Sequence, residues 1–469
     1  MRKKSRVATA FACLAASAQA LAQTAASTAP LPSATGRPMS IDFASDPVLS
    51  LGRQHSGYEQ FRTAIATAVE RHPGTAESAA GEDEALAALE EARAMGLPSV
   101  DLSITSYRVI SREFSNDPEN ILERSRPEQR TDAILTAQQT IFDFGATARR
   151  ITAAGARLRS AGADLEVAAD RIALGAIASW YDVFAFRSLV SLTEAFVASQ
   201  HELRASVEER IRQGVSAEGD LARVDSYIAQ ALSRLARFRR LAANAEARYA
   251  EVIGSPAPRI DRAPIPAALP PTREEVVLAA ESSAPVRSAE AQSDAARDEA
   301  RAMRADRLPQ VAVGIDAGRY GLFENPRDYD IRARVGMRYR IFGPADARAE
   351  QGEARARQAD ARAQRIREEA SRDASIAWSD LKALEDQLQA LEASYIANRR
   401  SRDVIVERFR VARGSLIDVV DAEDSYFEAA IAYIQGLTEL DAARYVLLSR
   451  MGRLLDTLSI ETDQLRGEG

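Results

Sequence analysis

The sequence is poor in the residues that most chemistry needs. Of its 469 residues one is cysteine, Cys13, and three are histidine, His55, His72 and His201. A lone thiol has no partner for a disulfide or a paired-cysteine metal site. The histidines are scattered, with no HExxH spacing, and there is no nucleophile elbow or phosphate-binding loop. The chain is not expected to be an enzyme, and no cofactor or metal is expected. Basic charge is also short: 61 Lys and Arg against 68 Asp and Glu leave −7, with pI near 5.4. That balance argues against a nucleic-acid binder, whose footprint is basic. Mean hydropathy of −0.26 excludes a polytopic helical membrane protein. It does not exclude a membrane β-barrel, whose strands carry an apolar residue only at every second position.

What is present begins with an export signal over residues 1–22. Arg2, Lys3, Lys4 and Arg6 precede an apolar stretch from Val7 to Ala18, and Ala20-Leu21-Ala22 is a small-residue cleavage site. The apolar stretch is too short for a stable membrane anchor. Cleavage before Gln23 removes Cys13 and four positive charges, taking the net charge from −7 to −7 − 4 = −11. No apolar run of ~20 residues follows it. Residues 23–56 are expected to form an N-terminal periplasmic segment.

The mature chain is a duplication, the first thing to look for in a long sequence. Glu91-Ala92-Arg93-Ala94-Met95 recurs as Glu299-Ala300-Arg301-Ala302-Met303, and each is followed by Leu-Pro, at Leu97-Pro98 and Leu308-Pro309. An offset of 198 pairs Phe144-Gly145 with Phe342-Gly343, Trp180 with Trp378, and Glu209-Arg210-Ile211-Arg212 with Glu407-Arg408-Phe409-Arg410. It also pairs Asp220 with Asp418. The repeats are placed at 57–254 and 273–458, with a tail at 459–469. Prolines 256, 258, 264, 266, 270 and 271 make residues 255–272 an extended linker, since proline at that density cannot be helical.

Each half has a period-2 part and a long-period part. Val311, Val313, Ile315 and Ala317 alternate with small or polar residues. After a turn at Phe323-Glu324-Asn325-Pro326, Ile331, Ala333, Val335, Met337, Tyr339 and Ile341 alternate with Arg332, Arg334, Gly336, Arg338 and Arg340. This reads as a β-hairpin over about 309–342. A weaker version over about 98–144 carries Val100, Leu102 and Ile104, then Leu135, Ala137, Gln139 and Ile141. One strand with arginines on one side and apolar residues on the other suits a position between lipid and a watery lumen. Residues 145–213 and 344–412 have helical composition. Leu158, Leu165 and Ile172 stand seven apart, as do Ala154, Ala161 and Ala168, and Val183, Val190 and Val197. Such heptads at 1.5 Å per residue predict helical rods of roughly 100 Å. Shorter helices are expected over 216–253 and 416–455, and before each hairpin, ending near Met95 and Ala305. Trp180 and Trp378 are expected to pack between coils.

The fold class expected is therefore mostly α with a small β part, a coiled-coil barrel joined to a transmembrane β-barrel. Two hairpins cannot close a barrel, and open strand edges are not tolerated in hydrocarbon. Two copies give eight strands, whose interior side chains fill; three give twelve, the smallest number with a lumen.

With these features in order, the sequence resembles the TolC family of outer-membrane channel proteins over nearly the whole mature chain. The resemblance rests on the Leu-Pro hairpin openings, the junctions Ile141-Phe142-Asp143-Phe144-Gly145 and Ile341-Phe342-Gly343, and two turns. The turns are Arg210-Ile211-Arg212-Gln213-Gly214 and the run from Arg408-Phe409-Arg410 to Asp418-Val419-Val420-Asp421. It implies a homotrimeric passive duct in the outer membrane with a periplasmic extension. Its energy would come from an inner-membrane pump, of ABC or RND type, through a periplasmic adaptor, and it would carry drugs, small molecules or secreted proteins. By motif position the resemblance puts Asp418, Asp421 and Asp220 at a periplasmic gate. It puts Arg212, Gly214, Arg410, Ala412, Arg413 and Gly414 at an adaptor-contacting tip. Phe409 falls at a gating tyrosine's place and Gly414 at a gating arginine's. Arg332, Arg334, Arg338 and Arg340 are assigned to the barrel lumen. For the acidic group Asp418, Asp421, Glu423 and Asp424, a solvated helix face near an N-terminus is the competing account. The rival for the whole chain is a periplasmic coiled-coil adaptor or structural protein without a channel, which leaves the arginine strand unexplained. Efflux and type I protein secretion are not separated by these residues.

Overall fold

A computed structural model of the chain describes residues 31–112, 126–266, 269–324, 327–411, 413–461 and 465. The expected export signal, Asn325-Pro326 of the second hairpin turn, and Ala412 fall outside the described residues. The helices are α1 (Pro47–Ser50), α2 (Tyr58–Arg71), α3 (Pro73–Ala94), α4 (Ala146–Arg212), α5 (Glu218–Ile253), α6 (Arg273–Ala280), α7 (Ala284–Ala305), α8 (Ala345–Arg410), α9 (Leu416–Arg450) and α10 (Leu454–Thr457). The strands are β1 (Ser99–Arg108), β2 (Gln129–Phe142), β3 (Gln310–Tyr320) and β4 (Asp328–Arg338). The chain is mostly helical and carries its strands as two hairpins, one in each half.

The described chain divides into two compact units. One holds residues 77–166 and 284–369 and contains all four strands. Both hairpins join one antiparallel sheet of order β1-β2-β3-β4, with β2 of the first half paired to β3 of the second. In this unit Leu89 and Ala92 of α3 pack on Ala154 of α4. Arg157 of α4 reaches Glu299 of α7 at 3.2 Å, and Arg304 of α7 reaches Glu353 of α8 at 2.6 Å. The helices therefore form a layer in the order α3-α4-α7-α8, parallel to the strand order. A Cβ at Gly352 would come 3.2 Å from the Ala300 backbone, so glycine permits the close approach of α8 to α7 there.

The other unit holds the described residues up to Ala76, residues 167–283, and residues from 370 onward. Its core is aromatic. Trp180 is fully buried, meets Phe61 edge-on at 5.2 Å, and donates its ring N–H to the Asp261 carbonyl at 3.1 Å. The same linker supplies Arg262, which is buried in a bidentate pair with Asp441 and also bonds the Gly52 carbonyl. Residues 31–51 lie against α8 and α9. Asp46 caps α1, accepting from Val48 N–H at 2.8 Å, and also accepts from the Tyr395 hydroxyl at 3.0 Å and from Arg399. Of the heptad positions in α4, Leu165, Ile172, Ala154, Ala168, Val183 and Val197 are buried.

Two boundaries differ from the sequence reading by more than two residues. β4 stops at Arg338, opposite Gln310, so Arg340 lies beyond the strand. The residue before Gln310 is Pro309, which has no N–H to extend the ladder. α9 stops at Arg450 rather than 455. Gly452 takes φ +68°, Arg453 N–H bonds Leu448 O at 2.8 Å, and Gly452 N–H bonds Ser449 O at 2.9 Å. This is a Schellman stop, which a glycine at that place supports.

Candidate functional site

Two regions carry the residues singled out from the sequence. The first is the sheet. Register places Asp101, Ser103 and Thr105 of β1, Asp132, Thr136 and Gln138 of β2, Gln310, Gly314 and Asp316 of β3, and Asp330, Arg332, Arg334 and Arg338 of β4 on one face. The opposite face carries Val100, Leu102, Ile104, Leu135, Ala137, Val313, Ile315, Ile331, Val335 and Met337. That apolar face is bare: Leu102 is 66% exposed, Ile331 68%, Met337 72% and Val335 77%. A contiguous exposed patch of this kind marks a surface meant for lipid or protein. Aromatic side chains flank it, with Tyr329 at one end and Tyr339, Phe142 and Phe342 at the other, all exposed. Among the described residues no helix is long and apolar enough to cross a membrane.

The arginines of β4 are not a bare positive stripe. Arg332 pairs with Asp330, and Arg334 lies 3.4 Å from Asp316 on β3. On the same face Arg130 pairs with Asp132 at 2.6 Å. Arg338 and Arg340 carry no ion pair among the described residues. The sequence reading named the arginines and missed their acidic partners. Asp330 stands two residues before Arg332 and so shares its face, which was readable; Asp316 required the β3–β4 register.

The second region is the pair of helix turns, α4 to α5 and α8 to α9. α4 ends in a Schellman motif: Gly214 takes φ +73°, Val215 N–H bonds Arg210 O at 2.9 Å, and Gly214 N–H bonds Ile211 O at 2.9 Å. In the second turn Arg413 N–H bonds Arg408 O at 2.9 Å, the equivalent bond. A Cβ on Gly414 would stand 3.2 Å from the Phe409 backbone nitrogen. Arg212 and Arg410 are exposed and pair with glutamates on their own helices, Glu209 at 2.5 Å and Glu407 at 3.6 Å. Arg413 is exposed.

Asp220 and Asp418 occupy the third position of α5 and of α9, and each belongs to half of a capping box. At α5 the N-cap is Ala217, whose N–H donates to the Asp220 carboxylate at 3.3 Å. At α9 the N-cap is Ser415, whose hydroxyl accepts from Asp418 N–H at 3.2 Å. Of the acidic run after Asp418, only Asp421 shares its exposure. Glu423 is buried against Arg402, and Asp424 pairs with Arg234 of α5 at 2.7 Å. Burial pushes the Glu423 carboxyl above its ordinary range, against the pull of Arg402.

The turns are tied together by a residue not assigned a role from sequence. Arg210 lies over the Phe409 ring, 4.3 Å from its centre, and donates to the Phe409 carbonyl at 3.0 Å and to the Ser216 hydroxyl at 3.3 Å. Val207, Val224, Leu416, Val419 and Val420 pack beside them.

A sheet with one lipid-suited face and one charged face, continued by heptad helices that end in paired turns, defines an outer-membrane channel with a periplasmic helical extension. Residues 64–255 and 276–453 match the outer membrane efflux protein family, and the chain belongs to that family. It is an outer-membrane efflux channel, a transport protein and not an enzyme. The outer membrane efflux protein BepC of Brucella suis is 23% identical over 341 residues, covering 71% of this chain and 75% of that protein. The fold is that of VceC from Vibrio cholerae (TM-score 0.72, 16% identity, covering 84% of this chain and 96% of that one). It is also that of the open state of MtrE from Neisseria gonorrhoeae (TM-score 0.69, 18% identity, 84% and 89%).

Proposed function

We propose that the chain works as a homotrimer, a passive exit duct joined at its periplasmic turns to an adaptor and through it to an inner-membrane pump. One observation carries this reading. The four-stranded sheet has an exposed apolar face, a charged face, and strands β1 and β4 whose outer edges pair with no other strand among the described residues. Open edges do not persist in hydrocarbon, so sister copies must complete the sheet. At ~3.3 Å per residue and the ~40° tilt usual for barrel strands, the stretch from Tyr329 to Tyr339 spans roughly 25 Å, the height of the apolar band of such barrels. The charged face, with Arg332, Arg334 and Arg338, then lines the lumen, and Arg340 continues it past the strand.

In this reading Asp418, Asp421 and Asp220 form the acidic gate at the periplasmic end. Three copies would bring the exposed carboxylates of Asp418 and Asp421, and the half-buried one of Asp220, around one axis, where they favour cations and divalent block. Arg212, Gly214, Arg410, Arg413 and Gly414, together with Ala412 outside the described residues, form the surface offered to the adaptor. Extraction and conductance test the proposal. The protein should resist a carbonate wash, need detergent, and run as a trimer. In planar bilayers Asp418→Asn with Asp421→Asn should weaken cation preference and divalent block. Release as a water-soluble monomer would end the duct reading, and unchanged selectivity would end the gate assignment.

A further inference from the structure

The unit that holds the sheet also carries two long stripes of opposite charge that no ion pair neutralises among the described residues. On α3, Glu77, Glu84 and Glu91 stand seven apart and are exposed, on the side away from Leu89 and Ala92, which pack on α4. On α8, Arg348, Arg355 and Arg362 also stand seven apart and are exposed, while Ala349, Gly352 and Ala356 are buried on the side toward α7. None of these six side chains makes an ion pair among the described residues. Exposed alanines accompany both stripes, Ala80, Ala87 and Ala94 on α3 and Ala347, Ala354 and Ala361 on α8. α3 and α8 are the two ends of the helix layer, as β1 and β4 are the two edges of the sheet.

The joint between the two halves of one chain shows how such ends meet. There the last strand of the first half, β2, pairs with the first strand of the second, β3, and α4 packs on α7. Arg157 and Glu299 bridge that helix pair at 3.2 Å. The repeat places Arg355 at the position of Arg157, by the offset of 198, and Glu91 at the position of Glu299, within Glu-Ala-Arg-Ala-Met. Repeating the same joint between copies brings β4 beside β1, and α8 beside α3. The helices run in opposite directions, so seven residues onward on α8 is matched by seven backward on α3.

We propose that neighbouring copies are joined beside the barrel by a charge ladder, with Arg355 and Arg362 on α8 of one copy against Glu91 and Glu84 on α3 of the next. The occupant of each stripe is thus a second copy of this chain. Successive rungs stand about 10 Å apart, and the small alanines let the helices approach. The ladder rests on the trimeric reading above and gives it a register. It also makes assembly salt-sensitive, because exposed ion pairs are screened.

The test uses the full chain in detergent. With Glu84→Cys and Arg362→Cys together, a short bis-maleimide should yield covalent dimers and trimers, and neither variant alone should do so. Reversing one stripe (Glu84→Arg with Glu91→Arg) should cut the trimer fraction several-fold at low salt. Adding Arg355→Glu with Arg362→Glu should restore it, which a merely misfolded chain would not show. A trimeric wild type with no cross-link, or with no rescue by the swapped pair, overturns the ladder and leaves the duct standing. A monomeric wild type overturns both.

Discussion

Arg210 gives the sharpest test of how the periplasmic turns are held. Its guanidinium covers the Phe409 ring at 4.3 Å and bonds the Phe409 carbonyl at 3.0 Å, so it joins the first turn to the second within a protomer. Any opening that moves one turn away from the other must break both contacts. A partly desolvated cation–π contact contributes ~1 kcal/mol and a hydrogen bond from a charged donor ~1.5 kcal/mol. The two share one side chain and do not add in full, so ~2 kcal/mol is the reasonable sum, a shift of roughly 30-fold in the balance between joined and parted turns. Arg210→Ala should therefore raise the open probability of the purified protein in planar bilayers by about that factor. Phe409→Leu keeps the carbonyl and loses the ring, and should produce a smaller rise. Arg210→Lys keeps the charge but loses the planar fork, and should fall between them. If Arg210→Ala leaves single-channel behaviour unchanged while the trimer remains intact, the contact is not part of the gate.

Three further outcomes follow from particular contacts. Ala217→Ser should supply the missing half of the α5 capping box and stabilise its first turn by about 1 kcal/mol, read as slower hydrogen exchange at the amides after residue 218. Arg262→Leu strands the buried carboxylate of Asp441, leaving it only Arg444 at 2.8 Å; the loss should approach ~3 kcal/mol and appear as a lower thermal midpoint, with Arg262→Leu, Asp441→Leu recovering part of it. Burial raises the Asp170 carboxyl above its ordinary 3.8, opposed by the Ser449 hydroxyl that donates to it at 2.5 Å. The folded form then favours the protonated acid, so the stability Asp170 contributes is full below pH ~4 and is lost as pH rises through the raised value. Asp170→Asn should flatten that part of the pH–stability curve, and an unchanged slope would mean another group causes it.

Much of this architecture was readable because it repeats and is periodic. The offset of 198 located both turns, and the alternation of Ile331, Ala333, Val335 and Met337 located β4 and its bare face. Six of the nine heptad residues named in α4 are buried, while Leu158, Ala161 and Val190 are half-buried. What escaped the sequence depends on contacts between distant segments. Pairing of β2 with β3 joins residues far apart in the chain, and alternation alone says nothing about a strand's neighbour. The tie between Arg210 and Phe409 is equally nonlocal, and arginine beside phenylalanine at a helix end has no sequence signature. The early stop of α9 was readable in principle from Gly452, but the apolar residues Leu454 and Leu455 continue the pattern past it. The acidic run from Asp418 to Asp424 looked uniform, yet packing divides it. Glu423 turns inward to Arg402, and Asp424 turns across to Arg234.

If the charged face lines a barrel, as proposed, the pairing of its arginines changes what that barrel can select. Read from the strand alone, Arg332, Arg334, Arg338 and Arg340 describe a positive wall. In the sheet, Asp330 and Asp316 stand against two of them, and Arg130 and Asp132 form a further pair on the same face. Charges paired at such distances cancel over a lumen wide enough to hold water and ions. Arg338 and Arg340, without an ion pair among the described residues, lie at the last ladder position of β4 and just beyond it, at the end nearest α8. If this face lines the lumen, as proposed, the charges on it without an ion pair among the described residues are Asp101 in its middle and Arg338 at its helix-side end, with Arg340 just past the strand. In the proposed barrel this face would then give a polar wall of low net charge, with Asp101 offsetting Arg338.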